Sequence, residues 1–190
     1  MSNKKIPEFL TEQEQQQLIN VFNVRYFNSL RNRTMIKLFL STGLRLSEMI
    51  DLQWNHINLM TGQLKVVEGK GSKDRILWIS DEMIEELRLW KEKQVEKLGK
   101  CEFVFTNRDK GQLKDRDVRE MVANYADKAG ITKKISPHVL RHTYATDLLR
   151  ATKNIRLVQK ALGHSDLSTT MIYTHIVDDE YEDALRNFRR

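Results

Sequence analysis

Hydrophobic residues recur along most of this chain at intervals of three and four, the spacing of one face of an α-helix. Polar signals and glycines mark where these helices begin and end. Thr11 and Glu14 form a capping box, while Gly43, Gly130 and Gly163 each follow a stretch of helical periodicity. We predict helices beginning near residue 11, around residues 83–90 and 118–126, and over residues 30–41, 47–54 and 155–162.

After the helix predicted over residues 47–54, the pattern changes to short apolar runs. The runs cover residues 57–59, 63–67 and 75–79, and turn-forming residues separate them at 61–62 and 69–72. This pattern predicts a small meander of antiparallel strands. The fold class is therefore mainly α with a small three-stranded antiparallel β-sheet, and no linker rich in Pro, Gly or Ser divides the chain into two domains.

Residues 136–142 are the most informative motif of the chain. Ser136 is a good helix N-cap, and Pro137 suits the first helical position. His138 and Arg141, three residues apart, then share one face of the helix. A phosphate group here would meet an imidazole, a guanidinium group and the positive end of the helix dipole. The motif therefore predicts a phosphate-binding site.

Phosphodiester chemistry also requires a nucleophile, proton donors and further cations, and other polar residues supply them. Arg45 lies at a helix junction, and its guanidinium group, like that of Arg141, can donate two hydrogen bonds to one phosphate. Lys70 lies in a glycine-rich turn and can protonate a departing alkoxide. Tyr173 is a candidate nucleophile, and His164 precedes it by nine residues.

Each of the last three residues also has a purely structural interpretation. A lysine in a glycine-rich hairpin is often a solvated turn residue, and a histidine after a helix can be a cap. A tyrosine is often half-buried in a core. Its phenol, with a pKa of about 10, is mostly protonated at neutral pH, which argues against a role as nucleophile without a nearby cation or base. These alternatives stay open at the level of single residues.

Composition favours a polyanionic partner and argues against several other classes. The chain has 32 Lys and Arg against 26 Asp and Glu, a net charge of +6 and a sequence pI near 9.4. The single cysteine, Cys101, excludes an internal disulfide and fits a reducing, cytoplasmic setting. No apolar run approaches the roughly 18 residues that span a bilayer, so we expect no membrane partner.

We also expect neither a cofactor nor a metal ion. The sequence has no cluster of Asp and Glu of the kind that holds Mg²⁺. His138 and His142 are four residues apart, but they lack the glutamate between them and the third ligand that a zinc site needs. Two arginine clamps on one phosphate would make a metal unnecessary.

Five motifs, in order along the chain, together resemble the catalytic domain of the tyrosine recombinase (phage integrase) family. They are residues 42–48, 69–75, 136–142, 162–165 and 172–175. The resemblance is strongest to the Xer-type and integrase branch and covers nearly the whole chain. It implies the tyrosine recombinase catalytic-domain fold, mostly helical with a small antiparallel sheet whose hairpin carries the catalytic lysine.

The resemblance implies six catalytic residues: Arg45, Lys70, His138, Arg141, His164 and Tyr173. In the family the two arginines clamp the scissile phosphate, the lysine is general acid for the 5′-hydroxyl and the first histidine assists proton transfer. The second histidine supports the phosphate, and the tyrosine attacks to form a 3′-phosphotyrosyl intermediate without metal or ATP. Lys73 is a nearby rival to Lys70. Glu48 is expected to orient Arg45, the alternative being a plain surface glutamate.

The same resemblance sets expectations about domains and partners. We expect a flexible lead-in or linker over residues 1–10, a catalytic domain over 11–177 and a C-terminal helix over 178–190. That helix would carry an apolar stripe of Tyr181, Ala184, Leu185 and Phe188 and pack on its own domain or dock in trans. We expect the family's N-terminal core-binding domain to be absent, which would make the chain a fragment or a naturally short recombinase. The expected partners are double-stranded DNA and further copies of the chain in a tetrameric synapse.

Two other activities would use many of the same residues. A type IB topoisomerase-like enzyme would nick, rotate and reseal one duplex in the same pocket. A DNA-binding regulator would keep the scaffold without the chemistry. The complete set of six candidate residues favours a recombinase over the regulator.

Overall fold

A computed structural model describes residues 8–67, 74–164 and 170. Helices make up most of the described chain, with one small sheet between the third and fourth. The helices are α1 (Glu12–Asn20), α2 (Phe27–Thr42), α3 (Leu46–Ile50), α4 (Asp81–Leu98), α5 (Asp115–Lys128), α6 (Pro137–Thr152) and α7 (Ile155–Leu162). The strands are β1 (Ile57–Asn58), β2 (Gln63–Val66) and β3 (Arg75–Trp78). The predicted fold class is confirmed.

The helix ends follow the capping signals in the sequence. The backbone N–H of Glu14 donates to the Thr11 hydroxyl at 3.2 Å, and the N–H of Thr11 donates to the Glu14 carboxylate at 2.8 Å, which completes the capping box of α1. The Ser136 hydroxyl accepts the first-turn N–H of Val139, as its position before Pro137 predicts. Gly163 ends α7 in the left-handed conformation, with φ of 66°.

The third predicted helix is shorter than expected. The sequence predicts residues 47–54, whereas α3 ends at Ile50 and a 3₁₀ turn follows over Trp54–His56. Tertiary hydrogen bonds explain the difference, because the backbone N–H of Trp54 donates to the Glu102 carbonyl at 3.0 Å and its indole donates to Gln94 at 2.8 Å. These bonds hold Trp54 outside the helical path.

The three strands form an antiparallel sheet in the order β1-β2-β3. Its register pairs Leu64 with Leu77 and Val66 with Arg75. The alternation of the strands turns these four side chains towards the core, while Ile76 and Trp78 face solvent. An arginine is therefore buried at the start of β3, beside apolar side chains.

The core lies around α2, which packs against α4 on one side and α6 on the other. The C-terminal end of α2 approaches α6 so closely that a side chain at Gly43 would overlap the ring of Tyr144. Gly43 also has φ of 60°, which allows the chain to turn sharply from α2 into α3. This turn brings Arg45, the N-cap residue of α3, next to α6.

Two predicted segments lie at the edges of the described residues. Of the expected lead-in, residues 8–10 are described, and the backbone N–H of Leu10 donates to the Thr143 hydroxyl of α6 at 2.9 Å. Leu10 is fully buried. The expected helix over 178–190 lies outside the described residues, as do Lys70, Lys73 and Tyr173. Within the described part of the chain, no helix is both long and apolar enough to span a membrane.

Candidate active site

Four of the six predicted catalytic residues line one cleft of about 430 Å³. They are Arg45, His138, Arg141 and His164. They come from three places in the sequence: the α2–α3 junction, the first turns of α6 and the end of α7. The fold thus brings together residues that are up to 119 positions apart (45 to 164), and Lys70 and Tyr173 lie outside the described residues.

Arg141 is buried and connects the ends of two helices. Its guanidinium group donates to the carbonyl of Gly43 at 2.5 Å and to the carbonyl of Leu162 at 2.7 Å. A terminal nitrogen also lies 3.1 Å from Nε2 of His164. Because Gly43 and Leu162 are at the C-terminal ends of α2 and α7, this one side chain fixes the position of both helix ends relative to α6.

Arg45 is held from two sides while part of it stays open to the cleft. One terminal nitrogen donates to Oε1 of Glu48 at 2.8 Å, and the other donates to the Gly163 carbonyl at 3.1 Å. The side chain is 39% exposed. An arginine in this arrangement is fixed in direction and still able to meet a phosphate.

Glu48 lies between Arg45 and a second arginine, Arg75. Its side chain is only 7% exposed, which does not fit the alternative of a solvated surface glutamate. Burial by itself raises the pKa of the Glu48 carboxyl, but the hydrogen bonds and charges of Arg75 and Arg45 outweigh it and leave this pKa below its ordinary value. Glu48 is therefore an anion with two cationic partners.

Arg75 was not singled out by the sequence. Its two terminal nitrogens donate to the two carboxylate oxygens of Glu48, each at 2.8 Å, and its Nε donates to the Ala161 carbonyl at 3.0 Å. The signal that could have identified it is the alternation of β3, where Arg75 shares the buried face with Leu77. A charged residue on the inner face of a strand requires a buried partner.

Three arginines together bind three consecutive carbonyl groups at the C-terminal end of α7. Arg75 binds Ala161, Arg141 binds Leu162 and Arg45 binds Gly163. The last carbonyls of a helix have no partner within the helix, and they carry the negative end of its dipole. The arginines give these carbonyls hydrogen-bond donors and place positive charge at the negative end of the dipole, directly before His164.

The His164 imidazole is in a strongly positive environment. Burial and the charges of Arg141, Arg45 and Arg75 lower its pKa to about 4. Its Nδ1 lies 3.0 Å from the Thr170 hydroxyl. His164 is therefore neutral at physiological pH.

His138 contacts a second histidine that the sequence suggested only as a rejected metal ligand. The Nε2 atoms of His138 and His142 are 2.8 Å apart. Burial, followed by the charges of His138, Arg141 and His164, lowers the pKa of His142 to about 4, and burial also lowers the pKa of His138. Two neutral rings at this distance share one hydrogen bond, so the tautomer of His142 determines which nitrogen of His138 carries its proton.

One further cation lines the same cleft. Arg119 projects from α5, is 57% exposed and lies 3.9 Å from Asp115. No local sequence pattern distinguishes Arg119, because an arginine on the polar face of a helix usually only contacts solvent. Its position beside His138 adds positive charge at the rim of the cleft.

This cleft, a neutral histidine between guanidinium groups at the meeting point of three helix ends, is suited to bind and polarise one phosphate group. Comparison with known proteins agrees: the sequence model of the phage integrase family matches residues 8–180, and the chain belongs to that family. The resemblance recognised in the sequence is thereby confirmed.

Individual relatives support the same assignment. A tyrosine recombinase of Thermosipho africanus is 40% identical over 183 residues, covering 96% of this chain and 62% of the relative. The crystal structure of XerA recombinase superposes with a TM-score of 0.84 at 30% identity, covering 100% of this chain and 68% of that one. XerH site-specific recombinase, bound to its palindromic difH substrate, gives 0.82 at 29% identity, covering 98% and 54%. The chain thus spans somewhat less than two thirds of the length of the curated relative.

Proposed function

We propose that this chain is the catalytic part of a site-specific tyrosine recombinase, which cleaves and rejoins DNA through a 3′-phosphotyrosyl intermediate. The observation that carries the proposal is the convergence of Arg45, His138, Arg141 and His164 on one cleft in a chain of the phage integrase family. The proposed reaction needs neither metal nor ATP, because the phosphodiester energy is kept in the protein–DNA bond. The expected cytoplasmic setting is part of the same proposal.

Arg45 and Arg141 would bind the two non-bridging oxygens of the scissile phosphate. Negative charge grows on these oxygens as the nucleophile attacks, so cations fixed in advance lower the barrier without reorganising. Their own contacts fix both side chains before DNA arrives, through Glu48 and Gly163 on one side and Gly43 and Leu162 on the other. The site is therefore preorganised for the transition state.

Tyr173 and Lys70 complete the proposed mechanism. Tyr173 would attack phosphorus and form the 3′-phosphotyrosyl bond, while Lys70 gives a proton to the departing 5′-oxygen. Lys70 belongs to the segment that joins β2 to β3, and Arg75 at the start of β3 contacts Glu48, so the base of that hairpin lies beside the cleft. His138 would assist proton transfer with His142 behind it. In the second half of the reaction a 5′-hydroxyl of a partner strand attacks the phosphotyrosine, and Tyr173 leaves.

Double-stranded DNA is the proposed partner. The net charge of +6 and the exposed Arg119 at the rim of the cleft favour contact with a polyanion. The similar protein XerH is bound to its difH substrate. We propose further that copies of the chain assemble on DNA as a tetramer, with residues 178–190 docking in trans.

Trapping the covalent intermediate tests the proposed activity. Duplexes would first be selected from a randomised pool by binding to the chain, then nicked near the centre and incubated with it without metal. We expect an adduct that survives denaturation, and we expect Tyr173→Phe to lose the adduct but retain binding. Tyr26→Phe is the matched control, because Tyr26 is exposed at the opposite end of α2. An adduct in Tyr173→Phe would overturn the choice of nucleophile, and binding without any adduct would favour a DNA-binding regulator.

A second experiment tests the role of the C-terminal residues. Deleting residues 178–190 should weaken assembly of several copies on one DNA, since it removes the apolar stripe of Tyr181, Leu185 and Phe188. Electrophoretic mobility shifts would separate single from multiple occupancy. Unchanged assembly and strand exchange in the truncated chain would contradict docking in trans. Relaxation of a supercoiled plasmid without strand exchange would instead indicate a topoisomerase-like activity.

A further inference from the structure

We infer that Arg75 is a positioning residue of the recombination site: it neutralises Glu48, so that the charge of Arg45 remains available to the scissile phosphate, and it holds the end of α7. This inference rests on the proposed function and assigns a task to a residue that the mechanism above does not use. It follows from the hydrogen bonds of one buried cluster.

Glu48 is shared evenly between its two arginine partners. Its Oε1 accepts from a terminal nitrogen of Arg75 and one of Arg45, each at 2.8 Å. Its Oε2 accepts from the other terminal nitrogen of Arg75 at 2.8 Å and from the backbone N–H of Arg45 at 2.6 Å. Each carboxylate oxygen thus accepts one hydrogen bond from Arg75 and one from Arg45, and the carboxylate lies between the two residues.

The charge balance of this cluster explains why two arginines are needed. A carboxylate paired with Arg45 alone would cancel the positive charge that a phosphate needs. With Arg75 present, the three groups together keep one positive charge. Because the side chains of Arg75 and Glu48 are only 8% and 7% exposed, this balance is not screened away by water, whereas Arg45 at 39% opens to the cleft. Arg75 therefore supplies the counter-charge, and Arg45 keeps its own for the substrate.

Arg75 also connects the sheet to the histidine side of the site. Its Nε donates to the Ala161 carbonyl, next to the carbonyls that Arg141 and Arg45 bind. Arg75 is the first residue of β3 and follows the segment that contains Lys70. From the start of β3, one side chain thus contacts both the helix whose N-cap is Arg45 and the helix that leads to His164. A lysine could not do this, because it has no planar fork to bind both carboxylate oxygens and no Nε–H for the third bond.

The test compares charge removal with charge restoration. Single-turnover adduct formation on saturating nicked duplex would be measured for Arg75→Gln, Arg75→Lys and the double variant Arg75→Gln with Glu48→Gln. We expect Arg75→Gln to be slower by about 10- to 100-fold, because Glu48 then cancels Arg45. We expect the double variant to recover part of this loss, since a neutral amide at position 48 returns the charge to Arg45. A residue with a purely structural role would make the double variant as slow as the single one or slower, and that result at an equal melting temperature would overturn the inference.

A second arginine–glutamate pair, in which Glu86 is buried and Arg33 is half-buried, provides the control. Arg33 donates to both carboxylate oxygens of Glu86, at 2.8 and 3.0 Å, between α2 and α4. Neither residue lines the cleft. Arg33→Gln should lower the melting temperature while changing the adduct rate by less than about threefold. A rate loss in Arg33→Gln as large as in Arg75→Gln would show that any buried pair matters equally, and it would overturn the special role of Arg75.

A measurement without DNA keeps this inference separate from the proposed activity. The charged and titratable groups that face His164 are Arg45, Arg75, Arg141 and His142. Removing the charge of Arg75 should raise the pKa of His164, followed by NMR of the imidazole, and Arg33→Gln should leave it unchanged. If the unaltered chain forms no adduct, the proposed function fails. The role of Arg75 is then tested by the His164 titration alone. An unshifted pKa of His164 in Arg75→Gln would show that the charge of Arg75 does not act at the cleft, and it would overturn the inference.

Discussion

Nε2 of His164 accepts a hydrogen bond from a terminal nitrogen of Arg141 at 3.1 Å. His164 is the acceptor because a guanidinium group can only donate. The single proton of the neutral ring is therefore on Nδ1, which donates to the Thr170 hydroxyl at 3.0 Å. His164 thus faces the proposed phosphate site as a fixed tautomer that orients Arg141. To donate to a phosphate itself, the ring would have to gain a proton or change its partners.

The depressed pKa values of His142 and His164 predict how stability depends on pH. Both are lowered to about 4, chiefly by burial and nearby cations, whereas in the unfolded chain they return to about 6.5. Between these values the unfolded chain binds more protons than the folded one, so stability should fall as pH decreases from about 6.5 to about 4. The loss is complete below the folded-state values.

Urea unfolding at a series of pH values checks this prediction. His142→Gln should flatten the slope between pH 4 and 6.5, whatever it does to the stability at pH 7. An equally steep slope in His142→Gln would contradict the assignment of this pH dependence to His142.

Arg141→Lys should nearly abolish cleavage. Lysine can reach at most part of the set formed by two carbonyls and one imidazole, and it cannot present two parallel donors to a phosphate. We expect the rate of adduct formation to fall by about 10²- to 10³-fold. DNA binding should weaken far less, because most affinity comes from many phosphate contacts.

The matched substitution on the same helix is Arg150→Lys. Arg150 lies over the ring of Phe9 and does not line the cleft. Its adduct rate should stay within about threefold of the original chain. Comparable losses in both variants would mean that Arg141 acts through the stability of α6 and not through the phosphate.

Local signals in the sequence were enough to predict much of the fold and part of the site. Capping and turn residues act through their own backbone neighbours, so the starts of α1 and α6 and the end of α7 followed from Thr11, Ser136 and Gly163. Long-range partners leave no such local trace. The early end of α3 depends on Trp54 meeting Gln94, 40 residues away.

The same reasoning explains which site residues the sequence did not reveal. Arg75 belongs to the site because Glu48 and Ala161 face it across the fold, at separations of 27 and 86 residues. His142 was visible in the sequence, but only the distance to His138 gives it a partner. Arg119 has no distinguishing local pattern, since its neighbours on α5 are also charged.

Gly43→Ala should destabilise the protein more than the same change at another left-handed glycine. Both Gly43 and Gly130 have positive φ, of 60° and 72°, so alanine costs about 1–2 kcal/mol of backbone strain at either position. At Gly43 the new methyl group would also overlap Tyr144, whereas at Gly130 it would meet nothing within 4 Å. We expect roughly 1–3 kcal/mol of additional destabilisation at Gly43 from this overlap.

Urea unfolding of the two variants gives the comparison directly. Gly43→Ala should also slow adduct formation, because the Gly43 carbonyl binds Arg141. Equal destabilisation of the two variants would show that Tyr144 yields easily to the methyl group. The contact between α2 and α6 would then not be the constraint that aligns Arg45 with Arg141.

Arg119 should contribute to DNA binding more than to the chemical step. Its side chain is 57% exposed at the rim of the cleft, and its ion pair with Asp115 is long, at 3.9 Å, so it can turn towards a phosphate next to the scissile one. Each lost phosphate contact lowers the slope of log K against log salt concentration by about 0.9. We therefore expect Arg119→Gln to reduce that slope by about one and to weaken binding uniformly across DNA sequences, with the adduct rate on saturating DNA nearly unchanged.

The comparison is Arg88→Gln, because Arg88 on α4 already contacts Glu85 at 2.6 Å and lies outside the cleft. Fluorescence anisotropy between about 50 and 200 mM salt measures both slopes. An unchanged slope in Arg119→Gln would remove Arg119 from the DNA-binding surface, whereas a lower adduct rate at an unchanged slope would place it in the transition state beside His138.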